Sequence, residues 1–239
     1  MLFANCSLLF VFSSLALLFI TCYLLFVIGI VFTGGEGPEP QKLKRLLDDL
    51  GGLLIVAADS GLALAEAAGI KPDWIVGDMD SLDSKNRLSL YPKERVICYP
   101  VDKDYTDTEI ALALLWEKTS EDAWIIGGGG GRLAHIFAIR DLFERERYPR
   151  RWITAREDIR CIDGGDAKNS VLTLAVEQGK LISVFPLGGG PWKTGSKGLK
   201  WELDNVLWER GLFGLSNVAV TDEIEINAKQ GRFMIVLEE

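Results

Sequence analysis

Six aspartates of this chain follow closely on short apolar runs. Asp59 comes after Leu53–Ala57 and its Ala58. Asp78 and Asp80 come after Trp74–Val76, in Gly77-Asp78-Met79-Asp80-Ser81. Asp102, Asp104 and Asp107 come after Arg95–Tyr99, in Asp102-Lys103-Asp104-Tyr105-Thr106-Asp107. Carboxylates gathered in one place repel each other unless a cation or proton intervenes. Mg²⁺ takes carboxylate oxygens and commonly joins one or two of them to substrate phosphates. One Asp-x-Asp carries little weight, because Asp and Gly are common in loops. Three acidic loops in succession point to a Mg²⁺-nucleotide site, since clustered titratable groups mark functional sites.

A second feature suits phosphate. Ala123–Ile126 ends in five consecutive glycines, Gly127–Gly131, with Arg132 next. Glycines between a strand and a helix let backbone N–H groups approach an anion, which the helix N-terminus also favours. Arg132 can clamp phosphate with two donors. No Gly-Lys-Ser/Thr follows, so this is not a P-loop, and no GxGxxG with a ribose-binding acid is present. His135, the one histidine, fits either a catalytic base or a hydrogen-bonded residue at a helix start.

The elements that must position these residues alternate. Ile28–Thr33, Leu53–Ala57, Trp74–Val76, Arg95–Tyr99 and Ala123–Ile126 read as buried strands. Gln41–Leu50, Leu62–Ala68, Thr108–Lys118 and Leu133–Glu146 read as helices. Such alternation implies a mostly parallel, doubly wound sheet, whose ligands bind beyond the carboxyl ends of the strands. The pattern changes near Tyr148-Pro149. Ile159–Ile162, Val171–Val176, Leu181–Pro186, Ala219–Ile226 and Phe233–Leu237 are strand-like, with turn-rich stretches such as Gly188–Pro191 between them. The expected fold is α/β: a doubly wound domain over 28–150, then a small all-β sandwich over 151–239.

Composition narrows the function classes. The 239 residues are 48% hydrophobic and carry a net charge of −8. A nucleic-acid binder normally shows a basic face, so that class is set aside. The four cysteines, Cys6, Cys22, Cys98 and Cys161, form no CxxC pair, so reduced thiols in a cytoplasmic protein are expected rather than a zinc site. No charge occurs from Met1 to Gly35, a run long enough for a membrane span. It reads either as an anchor with Lys42, Lys44 and Arg45 on the cytoplasmic side, or as an extension from a start placed too far upstream. The second reading fits Ile28–Thr33 as the first strand, and leaves 1–27 outside the domain.

Together these segments resemble the thiamine pyrophosphokinase family. The resemblance rests on Ala58-Asp59-Ser60-Gly61, on Pro72-Asp73-Trp74-Ile75-Val76-Gly77-Asp78-Met79-Asp80-Ser81, and on Asp102-Lys103-Asp104-Tyr105-Thr106-Asp107. It continues in Gly130-Gly131-Arg132-Leu133-Ala134-His135, Gly198-Leu199-Lys200-Trp201-Glu202-Leu203 and Ser216-Asn217. The resemblance implies a homodimer that moves pyrophosphate from ATP to thiamine with Mg²⁺, giving thiamine diphosphate and AMP. It implies Asp78, Asp80 and Asp107 as metal and catalytic carboxylates, and Arg132 as the phosphate contact. Asp59, Asp102, Lys103, Asp104, Thr106, Gly130, Gly131 and His135 are implied around the nucleotide, and Trp201, Ser216 and Asn217 around thiamine.

Two positions depart from the family pattern. Ala134 stands where the family has aspartate, and Ser60 where it has glycine. The first suits two alternatives: a non-catalytic relative that binds thiamine or nucleotide, or a pyrophosphokinase acting on another alcohol such as a pterin. An aspartyl-phosphate phosphatase would use Asp78-Met79-Asp80 differently, and leaves Arg132 and Ser216-Asn217 unexplained.

Overall fold

The computed structural model describes residues 27–79, 87–118 and 122–239. The reading of the N-terminal run as an anchor falls on residues outside this set, apart from Val27. Among the described residues no helix is long and apolar enough to cross a membrane.

Five parallel strands form the first half: β1 (Ile28–Phe32), β2 (Leu53–Ala58), β3 (Trp74–Gly77), β4 (Val96–Cys98) and β5 (Ala123–Ile126). Four helices accompany them: α1 (Pro40–Asp48), α2 (Gly61–Ala67), α3 (Asp107–Lys118) and α4 (Leu133–Leu142). Successive strand residues point to opposite faces, and both faces are covered. Val31, Val56, Val76 and Ile125 meet α3 and α4 through Leu112, Leu115, Ile139 and Leu142. Ile30, Phe32, Ile55, Ala57 and Ile75 meet α1 and α2 through Leu43, Leu47, Leu62 and Ala65. This two-sided burial explains why the strands read as continuous apolar runs.

The sheet does not end with the parallel strands. β6 (Arg151–Ile153) pairs parallel with β5 and antiparallel with β7 (Glu157–Asp163). One ten-stranded sheet results, in the order β11-β9-β13-β7-β6-β5-β1-β2-β3-β4. Here β9 is Leu181–Leu187, β11 is Gly214–Val218 and β13 is Arg232–Glu238. β8 (Val171–Ala175), β10 (Lys193–Lys197) and β12 (Glu223–Gln230) form a second, antiparallel sheet, in the order β10-β12-β8. Ile182, Val184, Phe233 and Ile235 of the large sheet enclose a core with Ile224, Ile226 and Ala228 of the small one. The α/β class with an all-β sandwich is therefore observed, and the sandwich borrows one of its two layers from the extended central sheet.

Charges hold the change of direction at β6. Asp158 accepts two bonds from Arg151, at 2.8 and 2.7 Å, and two from Arg160, both 2.9 Å. Burial opposes ionisation of Asp158, but the two guanidiniums outweigh it and hold its carboxyl below the usual range. Arg232 of β13 bonds Asp163 and donates to the carbonyls of Phe143 and Arg145 just past α4.

Candidate functional site

The hollow of about 520 Å³ at the carboxyl edge of the parallel strands is where the sequence signals converge. β1 lies between β2 and β5, so the strand order reverses there. Ligands of doubly wound sheets bind at such a switch point. The end of β1 contributes Thr33, Gly34 and Gly35. β2 contributes Asp59 and Ser60, and β3 contributes Asp78. The acidic loop adds Lys103, Asp104, Thr106 and Asp107. The glycine loop adds Gly128 to Gly131, followed by Arg132 and His135.

Local chemistry explains how the aspartates reach this edge. Asp59 has φ 44° and its N–H donates to Val76 O, one further rung of the β2–β3 ladder. A Cβ at position 77 would lie 3.0 Å from Asp59 Cβ, and Gly77 has φ 152°. Glycine is therefore required before Asp78, because any side chain there would strain the backbone and crowd Asp59. Asp107 opens α3 through a capping box. The Thr106 N–H and hydroxyl both donate to Glu109 Oε2 at 2.8 Å, while Glu109 N–H donates back to Thr106 Oγ1 at 3.3 Å. Burial opposes ionisation of Glu109, but bonds from Thr106 and Arg145 outweigh it and hold the carboxyl below its ordinary range.

Asp78 and Asp107 face one ammonium. Lys103 Nζ lies 4.0 Å from Asp78 Oδ2 and 3.2 Å from Asp107 Oδ1. Asp80 lies outside the described residues, so its place in this group is not seen. Among the described residues no three His, Cys, Asp or Glu side chains form a ready-made metal cage. The donor set still fits Mg²⁺, which usually keeps waters and relies on one or two carboxylates plus substrate phosphates.

The glycine loop differs from expectation in one respect. The N–H groups of Gly127, Gly128 and Gly129 donate to the carbonyls of Ile153, Gly34 and Glu36. They lock the loop to β6 and to the loop after β1, and are not directed at an anion. Gly127, Gly128, Gly130 and Gly131 all have positive φ. Arg132 follows at the start of α4, and its Nη2 lies 2.6 Å from His135 Nε2. A guanidinium can only donate, so the imidazole accepts and holds Arg132 over the hollow. Ala134 is exposed and is not among the lining residues.

The remaining predicted residues lie elsewhere. Asp102 is exposed and does not line the hollow. Trp201, Ser216 and Asn217 come together at the opposite edge of the sheet, on and beside β11. Asn217 is buried. Its Oδ1 accepts from the N–H groups of Trp201 and Val218, and its Nδ2 donates to Trp201 O. Trp201 and Ser216 are exposed, and Ser216 has φ 53°. Six strand-to-strand steps separate β11 from β1, on the order of 30 Å at about 4.8 Å per step.

Several lining residues are not among the site residues expected from the sequence: Thr33, Gly34 and Gly35, Val101 and Tyr105, and Ala138, Ile139 and Leu142 of α4. The first three carried a usable signal, since Thr33-Gly34-Gly35 follows an apolar run as Asp59 does. The α4 residues did not, because an inward helix face looks the same whether it meets a core or a ligand.

Comparison with known proteins gives two family matches. Residues 52–151 match the thiamin pyrophosphokinase catalytic domain, and residues 169–233 match the thiamin pyrophosphokinase vitamin B1 binding domain. The two matches together cover well over half of the chain. A thiamine pyrophosphokinase of Bacillus subtilis (strain 168) is 32% identical over 99 residues, which is 39% of this chain and 46% of that protein. The aligned stretch thus spans less than half the length of this curated relative. The crystal structure of thiamine pyrophosphokinase from Bacillus subtilis has a TM-score of 0.70 at 22% identity, covering 89% of this chain and 98% of that one. Thiamin pyrophosphokinase from Geobacillus thermodenitrificans gives 0.67 at 23% identity, over 89% and 97%. The enzyme from Candida albicans gives 0.66 at 18%, over 91% and 90%. These structural likenesses establish the shared fold.

Proposed function

Because this chain belongs to the thiamin pyrophosphokinase family, we propose that it transfers the pyrophosphoryl group of ATP to the hydroxyl of thiamine, giving thiamine diphosphate and AMP. The observation that carries the reading is the convergence of Asp59, Asp78, Asp107 and Arg132 on one hollow at the switch point of the sheet.

Asp78 and Asp107, joined by Asp80, are the carboxylates that would hold Mg²⁺. The bound ion supplies charge neutralisation to the phosphates. Arg132, steadied by His135, takes the charge that develops on the transferred group, and Gly130 and Gly131 let the polyphosphate come close to the backbone. Asp59, Lys103 and Asp104 line the same hollow and are assigned to the nucleotide, and Asp107 is the group we assign to accept the hydroxyl proton. The hydroxyl oxygen attacks the β-phosphorus in line, the bond to the α-phosphate oxygen breaks, and AMP leaves. Such a reaction needs positioning and charge compensation more than covalent chemistry.

Thiamine is assigned to Trp201 and Ser216, with Asn217 fixing the segment that carries them. In one chain these lie too far from the hollow for attack, which requires about 3–3.5 Å between reacting atoms. A homodimer resolves this, with the sandwich of one chain serving the hollow of its partner. Exposed apolar side chains support such an interface. Trp201, Phe213 and Leu215 are exposed on or next to the thiamine segment, and Leu133 and Phe137 are exposed on α4. Cys98 and Cys161 are free thiols, which suits the cytoplasm as the place of reaction.

The test is incubation with ATP, Mg²⁺ and either thiamine or a pterin alcohol, scored for the pyrophosphorylated product. Thiamine diphosphate with stoichiometric AMP is the expected result. Product only from the pterin would move the substrate assignment. Binding of thiamine without turnover would indicate a non-catalytic relative.

A further inference from the structure

Lys103 is an unusually enclosed lysine. Its side chain is 13% exposed, between Asp78 at 17% and Asp107 at 26%. Its ammonium reaches both carboxylates, and also donates to the carbonyl of Pro100 at 3.1 Å. An ammonium is a strongly hydrated point charge that resists burial without opposite charge around it. The two carboxylates, brought from the end of β3 and the start of α3, supply that charge, and the lysine in turn relieves their mutual repulsion.

This arrangement has a consequence for a divalent ion. Mg²⁺ binds oxygen at about 2.0–2.1 Å. An ammonium 3.2 Å from Asp107 Oδ1 is a like charge against the same oxygens. The lysine therefore competes with a divalent ion for these carboxylates, and moving it away removes a like charge from beside the ion. The four-carbon stem allows that, because the ammonium can be re-aimed through its rotatable bonds. Phosphate oxygens in the hollow that Lys103 itself lines are the natural new partners.

We infer that Lys103 is an internal counter-ion that occupies the carboxylate pair until a polyphosphate draws it away, so that free divalent ions bind weakly and the metal enters together with its nucleotide. This rests on the metal assignment made above. Coupling between two ligands is reciprocal, so the metal strengthens polyphosphate binding by the same factor.

The test is titration of the metal-free protein with Mn²⁺ alone, followed by electron paramagnetic resonance of the free ion. Lys103→Met and Lys103→Gln should bind Mn²⁺ about tenfold more tightly than the wild type, in the usual range for coupled sites. Lys103→Arg, which keeps the charge, should stay near the wild-type affinity. Damage to the fold would weaken metal binding, so a gain separates the two explanations. Unchanged or weaker binding in both neutral variants overturns the inference. A measurement on the wild type covers the case in which the variants do not fold. Inorganic tripolyphosphate should bind the wild type about tenfold more tightly with Mn²⁺ present than without it, read by calorimetry; equal affinity in the two cases also overturns it. Neither readout requires turnover, so failure of the kinase reaction and failure of this inference are distinguishable.

Discussion

Thr33 Oγ1 lies 2.6 Å from Thr108 Oγ1, in a bond buried between the end of β1 and the first turn of α3. Thr108 directly follows Asp107, so this bond ties a proposed metal ligand to the strand at which the sheet order reverses. Thr33→Val would leave the Thr108 hydroxyl buried without that partner. Such a loss costs about 1–3 kcal/mol, measurable by denaturant unfolding. Turnover should fall with it, through kcat more than KM, because Asp107 loses its anchor. Wild-type stability in the variant would show that the bond contributes nothing.

Asp158 is held between Arg151 and Arg160, and removing one partner of such a buried group leaves charge uncompensated. Asp158→Ala should cost about 3–5 kcal/mol, read from urea unfolding. The same group sets a pH dependence. Burial raises the carboxyl's pKa, but the arginines more than reverse this, so the folded value lies below the ordinary one. Asp163 behaves alike: its burial is outweighed by bonds from the Gly165 N–H and Arg232. A depressed folded pKa gives stability that is complete above the unfolded value of about 3.9 and is lost as pH falls through the folded value. Thermal midpoints should therefore be level with respect to these groups near neutrality and fall below about pH 4. Asp158→Asn should show a shallower acid slope.

Ala134 sits in the first turn of α4, exposed and outside the lining of the hollow. An aspartate there would meet the positive end of the helix, worth about 0.3–1 kcal/mol. Ala134→Asp should raise thermal stability slightly and leave the fold unchanged. Turnover that stays within about twofold would indicate that Arg132 and His135 already suffice without the family carboxylate, since surface changes usually act within about 0.5 kcal/mol. A rise of tenfold or more would show that the missing carboxylate limits the enzyme.

The parallel half of the fold was legible because its strands are buried on both faces and its helices are regular. The apolar run Ala123–Ile126 coincides with β5, and Ile28–Thr33 and Leu53–Ala57 differ by one residue from β1 and β2. The second half was less so. β6 is only Arg151–Ile153, and its arginine is buried by pairing with Asp158, which no apolar pattern announces. β10 is Lys193–Lys197, whose buried middle is Thr194-Gly195-Ser196. The stretch Ala219–Ile226 reads as one strand in the sequence, whereas β11 ends at Val218 and β12 begins at Glu223. In the site, residue type and position after a strand identified Asp59, Asp78 and Asp107. Hydrogen bonding that an apolar pattern does not announce decides the rest: Thr106 is engaged in a helix cap, Asn217 is turned toward main chain, and three glycine N–H groups bind neighbouring segments.

If sites form between chains, two inactive variants should repair each other. Asp107→Asn disables the hollow, and Trp201→Ala disables the thiamine segment of the other unit. Coexpressed, they would give mixed dimers with one intact site, and activity well above either variant alone. Activity no higher than the separate variants would place both halves of the site within one chain.

The most direct measurement follows the phosphorus that moves. ATP labelled at the β-phosphate is incubated with the protein, Mg²⁺ and thiamine, and the products are separated. The expected result is label in thiamine diphosphate, with unlabelled AMP released, and loss of that transfer in Asp107→Asn at unchanged thermal stability. Label retained in ADP, or no transfer to thiamine at all, would contradict pyrophosphoryl transfer at this carboxylate hollow.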